Sequence, residues 1–176
     1  MAKKGLKDVL KMIIKGLNKT KLRWCLCGGI AANYYGTPRT TYDIDVIIMF
    51  DEKNICKLED AVGLKKNTLK EVASVSNRYF WHIGNWRVDL WFAKSAFEKE
   101  IIRRRKKGKI DNLNAWLISV EDLIIQKLLT ARPTDIEDII SVCKIKSKID
   151  TNYVEHWCKV FNIKDRWEEI KRMARI

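Results

Sequence analysis

Apolar residues change their spacing several times along the chain, and each change predicts an element. From Lys3 to Lys19, Leu6, Val9, Leu10, Ile13, Ile14 and Leu17 recur at the spacing of one helix face, with lysines opposite. Leu22 to Cys27 is a short continuous apolar run and reads as a buried strand, Gly29 to Tyr35 as a short helix, and Asp43 to Met49 as a strand entering the core. Asp51 and Gly63 bracket a helix over Glu52 to Val62 as N-cap and stop, and Lys66 to Ser74 continues as a helical or irregular piece. Two aromatic-rich runs within Arg78 to Phe92 flank Gly84-Asn85, which predicts a β-hairpin. Ser95 to Lys107 reads as a helix ending in R-R-R-K-K, and Leu113 to Ile118 as a short edge strand. Beyond it, Ser119/Asp122, Thr134/Glu137 and Asp165/Glu168 read as capping pairs, predicting helices near 120–131, 134–146, 152–161 and 165–174.

This pattern predicts an α/β (α+β) fold. A small mixed sheet flanked by helices would span residues 1–118, and a C-terminal helical extension over 119–176 would pack on it. No repeat and no low-complexity linker interrupts the chain.

Composition sharpens the picture. A length of 176 residues, 47% of them hydrophobic and only two of them proline, is enough to bury a core in a soluble protein. No run reaches the roughly 18 apolar residues of a membrane span. Lys7, Asp8, Lys11 and Lys15 interrupt the first apolar stretch, so it is not a signal peptide, and a cytoplasmic location with no membrane partner is expected. Five cysteines without a CxxC describe neither a disulfide framework nor a zinc ribbon. Cys25 and Cys27 fit small core residues, and Cys143, His156 and Cys158 match no zinc spacing.

Lys and Arg number 35 against 22 Asp and Glu, a net charge of +13 that favours a polyanionic partner. A lysine-rich surface that serves solubility is the plainer alternative. The R-R-R-K-K run reads as a solvated helix end in preference to a nucleic-acid contact.

Candidate chemistry gathers around Trp24 to Phe50. In a strand, residues i and i+2 share a face, so Asp43 and Asp45 project together. Two adjacent carboxylates repel unless a cation sits between them, and a hard, oxygen-only donor set suits Mg²⁺ or Mn²⁺. Gly28 and Gly29 stand where a strand passes into a helix N-terminus, whose free N–H groups bind phosphate. Asp89 lies between Val88 and Leu90 in an apolar strand and needs a partner. It becomes a third carboxylate of the same site if its strand lies beside Asp43 and Asp45; otherwise it is ion-paired, for instance to Arg87 or Arg39. Asp51 and Asp60, in helix-cap and helix-surface settings, fit less well.

The segment G-G-I-A-A-N-Y-Y-G-T-P-R-T-T-Y-D-I-D, Gly28 to Asp45, resembles the DNA polymerase β-like nucleotidyltransferase superfamily, and its fuller form resembles the minimal branch containing the AbiE-type toxins of toxin–antitoxin systems. A second signature of that branch is similar to S-V-E-D-L-I-I-Q-K-L-L-T-A-R-P-T-D-I-E-D-I, with Lys127, Arg132, Asp135 and Asp138 at the matching positions. The resemblance spans about residues 22 to 145.

It implies metal-dependent transfer of a nucleoside monophosphate from a nucleoside triphosphate to an acceptor hydroxyl. Asp43, Asp45 and Asp89 would be the catalytic carboxylates and the ligands of Mg²⁺ or Mn²⁺, with Asp89 also activating the acceptor. Gly28, Gly29, Arg39, Thr41, Lys127 and Asp135 would bind the nucleotide. Lys127 could instead be paired to Asp135 or Asp138 and staple two helices together. Acceptors in the branch include tRNA 3′ ends, small molecules such as aminoglycosides, and proteins. The net charge of +13 favours RNA, tRNA first, and a toxin would bring a cognate antitoxin. The rival is a non-catalytic nucleotide- or RNA-binding protein on the same fold.

Overall fold

A computed structural model describes residues 5–146 and 148–176; Lys3 and Lys4, at the start of the first predicted helix, lie outside the described residues. Six strands, β1 (Trp24–Leu26), β2 (Asp43–Ile48), β3 (Arg78–Ile83), β4 (Trp86–Phe92), β5 (Lys106–Ile110) and β6 (Leu113–Leu117), form one sheet in the order β3-β4-β2-β1-β6-β5. The sheet is mixed: β2 runs parallel to β4 and β1 to β6, and the other neighbours are antiparallel. With helices α1 (Leu6–Asn18), α3 (Glu52–Val62), α4 (Thr68–Val75) and α5 (Ala96–Arg104), it makes up a first unit, residues 1–27 and 41–118. The second unit is helical: α2 (Gly28–Tyr35), α6 (Val120–Thr130), α7 (Pro133–Ile145), α8 (Thr151–Val160) and α9 (Lys164–Ala174), from residues 28–40 and 119–176. Among the described residues no helix is long and apolar enough to cross a membrane.

Local chemistry explains most boundaries in the first unit. Val9, Leu10, Ile13, Ile14 and Leu17 of α1 are all buried, as the one-sided pattern requires. Asp51 Oδ1 accepts the Lys53 amide, and Gly63 closes α3 in the left-handed region at φ 75°. In the hairpin turn Gly84 alone takes positive φ, the first position of a type II′ turn.

Two expectations are corrected here. The predicted helix over Ser95 to Lys107 ends at Arg104, and Lys106–Ile110 is a strand. Asp111 and Asn112, both at positive φ, turn it back into β6. Consequently β6 lies inside the sheet between β1 and β5, and β5 is the edge.

In the second unit, Ser119 caps α6 as expected, its Oγ accepting the Asp122 amide at 3.2 Å. The buried Asp122 is held by Ser119 Oγ and Tyr153 Oη, both at 2.6 Å. The other two capping pairs are displaced: α7 begins at Pro133 with Arg132 as its N-cap, and α9 begins at Lys164. Proline preset for the first helical position explains the earlier start of α7. Trp167, fully buried, anchors the core of this unit.

Candidate functional site

β2 alternates half-buried Asp43 and Asp45 with fully buried Ile44 and Val46, and beyond Val46 both of its faces are covered. The strand therefore presents carboxylates at its outer end and enters the core at the other. Cys27 N donates to Asp45 O at 3.0 Å, which fixes the backbone between them, and the buried Thr41 hydroxyl donates to Asp43 Oδ1 at 3.1 Å. β4 lies parallel to β2 with Asp45 in register with Asp89, so Asp43, Asp45 and Asp89 share one face of the sheet. The three predicted carboxylates are brought together.

Asp89 is 1% exposed and its charge is met by two guanidinium groups. Arg78 donates to Oδ1 through Nε at 2.9 Å and Nη2 at 2.6 Å, and Arg87 through Nη2 at 3.0 Å. Arg87 Nε stands 2.8 Å from Oδ2 without hydrogen-bond alignment. Of the two ion-pair partners the sequence suggests, Arg87 is found and Arg39 is not. Arg78 is an addition. Both arginines lie over aromatic rings, Arg78 4.5 Å above Trp91 and Arg87 4.3 Å above Phe80, so their heads are fixed from two sides.

A divalent cation suits the hard oxygen donors of Asp43 and Asp45. The arginines' hydrogen bonds to Asp89 all end on Oδ1, and among the described residues no three His, Cys, Asp or Glu side chains are arranged to hold a metal.

The remaining predicted residues belong to the second unit. Gly28, at φ 56°, opens α2 in the left-handed region, where a side chain is strained, and Gly29 is buried behind it. After α2 the chain is tied down at each step. Asn33 takes both backbone groups of Arg39, donating to its carbonyl at 2.7 Å and accepting its amide at 3.0 Å, and Thr37 N donates to Ser141 Oγ at 2.6 Å. Arg39 then grips Asp138 through two parallel bonds of 2.7 Å.

Asp138 also receives Lys127 Nζ at 2.7 Å, and the same ammonium donates to Asp135 at 2.9 Å. Asp135 further accepts from Thr130 and Arg132. Lys127, 5% exposed, is thus paired to both aspartates, the stapling arrangement in its fullest form. Asn33 and Ser141 escape sequence reading because neither residue type marks such a role by itself.

Gly36 sits where this loop packs against α7. A Cβ there would come within 2.8 Å of Ser141 Oγ and 3.2 Å of both Ala32 O and Val142 Cγ2. Gly36→Ala is expected to destabilise the protein by about 1–3 kcal/mol, read as a lower urea midpoint. An unchanged midpoint would show that the loop yields freely.

Burial opposes ionisation of Asp135, but hydrogen bonds from Arg132, Lys127 and Thr130 outweigh it and hold the carboxyl below the usual carboxylate range. Asp138 is lowered in the same way, burial being overcome by Arg39 and Lys127. Both groups are depressed in the folded state, so their contribution is fully present above the ordinary carboxylate value of about 4 and is lost as pH falls below it. The urea midpoint should therefore drop between neutral pH and pH of about 3, and the drop should be smaller in an Asp135→Asn, Asp138→Asn variant. Equal drops would remove these two groups as its source.

The sequence matches the profile of the family described as "Nucleotidyltransferase of unknown function (DUF6036)" over residues 5–174. No curated protein matches it. Among solved structures the chain is similar to an antigenic nucleotidyltransferase-like protein from Paracoccidioides brasiliensis, at 17% identity and a TM-score of 0.56, with 97% of this chain and 92% of that one covered. It is similar also to ANT(2″)-Ia in complex with adenylyl-2″-tobramycin, at 19% identity and a TM-score of 0.61, covering 89% and 96%. A third likeness is to JHP933 from Helicobacter pylori, at 16% identity and a TM-score of 0.50, covering 96% and 88%. At these identities the likeness is one of fold.

Proposed function

Because the chain belongs to the DUF6036 family of nucleotidyltransferases, matched over residues 5–174, we propose that it moves a nucleoside monophosphate from a nucleoside triphosphate to a hydroxyl of RNA, a tRNA 3′ end first. On this reading it is a toxin-like enzyme of the cytoplasm with a cognate antitoxin as partner. The observation that carries the chemistry is the shared face of Asp43, Asp45 and Asp89, set by the parallel register of β2 and β4.

Asp43 and Asp45 are the proposed ligands of Mg²⁺ or Mn²⁺, whose charge offsets that of the triphosphate and the departing pyrophosphate. Asp89, oriented by Arg78 and Arg87, accepts the proton of the acceptor hydroxyl as its oxygen bonds to the α-phosphorus and the bond to the bridging oxygen breaks. Backbone N–H groups of Gly28 and Gly29 are the proposed phosphate contacts. Arg39 offsets phosphate charge, and Asp138, Lys127 and Asp135 hold it in place. Thr41 steadies Asp43 through its hydroxyl.

A second reading, transfer to a small molecule, is favoured by the fold shared with ANT(2″)-Ia, solved with an adenylylated aminoglycoside. The net charge of +13 weighs against it, since a polycationic acceptor is better received by acidic walls.

Total tRNA would be incubated with each nucleoside triphosphate labelled at the α-phosphate, with Mg²⁺ or Mn²⁺, and wild type compared with an Asp43→Ala, Asp45→Ala variant. Label that requires the aspartates supports RNA as acceptor and names the nucleotide. Label no higher than in the variant, with nucleotide binding intact, turns the assignment to the small-molecule reading.

A further inference from the structure

The cationic run that reads in sequence as a helix end closes α5 with Arg103 and Arg104 and then continues, from Lys106, as the exposed edge of the sheet in the first unit. Strand alternation sends Lys107 and Lys109 to one face, about 6.7 Å apart, and Arg105, the C-cap of α5, precedes them. Lys106, Lys107 and Lys109 are exposed. Trp116, in register with Lys107 on β6, lies beneath two of these cations, with Arg105 at 4.3 Å and Lys107 at 5.4 Å from its ring. Beside Trp116 opens a groove of about 200 Å³ lined by Asn18, Lys107, Gly108, Asn114, Ala115 and Trp116. Asp111, the one acidic residue of the β5–β6 hairpin, is paired with Lys7 at 2.9 Å and stands 3.9 Å from Lys11.

We propose that the β5 edge, with Trp116 and its groove, is a docking surface for single-stranded RNA. A row of cations at strand spacing tracks a phosphate backbone, and an aromatic ring flanked by amide side chains receives an unstacked base. Lysines on an edge strand also guard against edge-to-edge pairing, but that role requires neither the tryptophan nor the groove. This surface deepens the RNA reading given above and rests on it for its biological purpose, while its own test needs neither nucleotide nor metal.

The probe is a fluorescently labelled single-stranded RNA of about 20 nucleotides, long enough for one such surface, titrated with the full chain at several salt concentrations. Charge reversal by Lys107→Glu, Lys109→Glu is expected to weaken binding at least tenfold and to flatten the dependence of log affinity on log salt by about 1–2. Lys65→Glu, Lys66→Glu, which changes net charge equally at two exposed lysines elsewhere in the unit, should weaken it far less. Trp116→Leu should lose about tenfold with the salt slope unchanged, provided its melting shows a folded protein.

Equal losses in the two charge variants would overturn the proposal, as would equal binding of a DNA duplex of the same length. Wild type that binds RNA here yet labels none separates failure of the acceptor reading from failure of this surface.

Discussion

An Asp43→Asn, Asp45→Asn variant is expected to lose nucleotidyl transfer by at least about a thousandfold and to keep its fold. Charge stabilisation by a bound divalent ion is worth several kcal/mol in the transition state, and about 4 kcal/mol corresponds to three orders of magnitude. Asparagine keeps the shape of aspartate and can still accept the Thr41 hydroxyl that meets Asp43 at 3.1 Å. The packing of Ile44 and Val46 on the opposite face is untouched, so the melting temperature should stay within about 4 °C of wild type, the range of a change near 1 kcal/mol. Mg²⁺ should raise the melting temperature of wild type and leave that of the variant where it was, because a ligand stabilises only the state that binds it. Each single variant should fall nearly as far as the double, since groups that act as one unit are not additive. Transfer within tenfold of wild type would remove these aspartates from the chemistry.

Asp89→Asn makes a useful contrast. It leaves two arginines facing a neutral amide, so it should lose stability together with transfer, whereas the β2 variant loses transfer alone. The two variants thus separate a carboxylate buried in an ion-pair cluster from a pair at the half-exposed end of a strand.

Most elements were legible because their signals are local. Asp51 and Gly63 delimit α3, and Gly84-Asn85 sets the hairpin, through contacts within a few residues. The β5 strand was illegible because an edge strand built from Lys106, Lys107, Gly108 and Lys109 lacks apolar alternation, and the cations before it extend a plausible helix end. Asp111-Asn112 was the signal available: two turn-forming residues between Ile110 and Leu113 imply a strand on each side.

The carboxylate site was legible for a different reason. Two aspartates at i and i+2 declare their shared face, and a third acid inside an apolar run must answer to some charge. Which charge answers depends on the hairpin register. Pairing Ile83 with Trp86 across the Gly84-Asn85 turn puts Arg78 opposite Trp91 and one step diagonally from Asp89, a deduction open to sequence reading once the turn is recognised. In the Lys127 network the pairing to Asp135 and Asp138 was open to sequence reading, whereas Arg39, on the loop after α2, is joined to it only by packing within the second unit.

That network sets the largest expected effect on stability. Lys127→Met keeps most of the side-chain volume but removes the ammonium that joins Asp135 and Asp138, both nearly fully buried. Losing one partner from a buried ion pair costs about 3–5 kcal/mol, because the charge left behind has neither water nor its counterion. For a chain of this size that is a fall in melting temperature of roughly 6–20 °C. Asp135 keeps Arg132 and Thr130, and Asp138 keeps Arg39, so the lower part of the range is the better expectation. Adding Asp138→Asn neutralises one stranded carboxylate and should recover part of the loss, giving a double variant less destabilised than the sum of the singles. Strict additivity would show that Lys127 and Asp138 do not act together. A loss below about 1 kcal/mol for Lys127→Met would mean that the arginines alone neutralise the pair and that Lys127 is not what holds it.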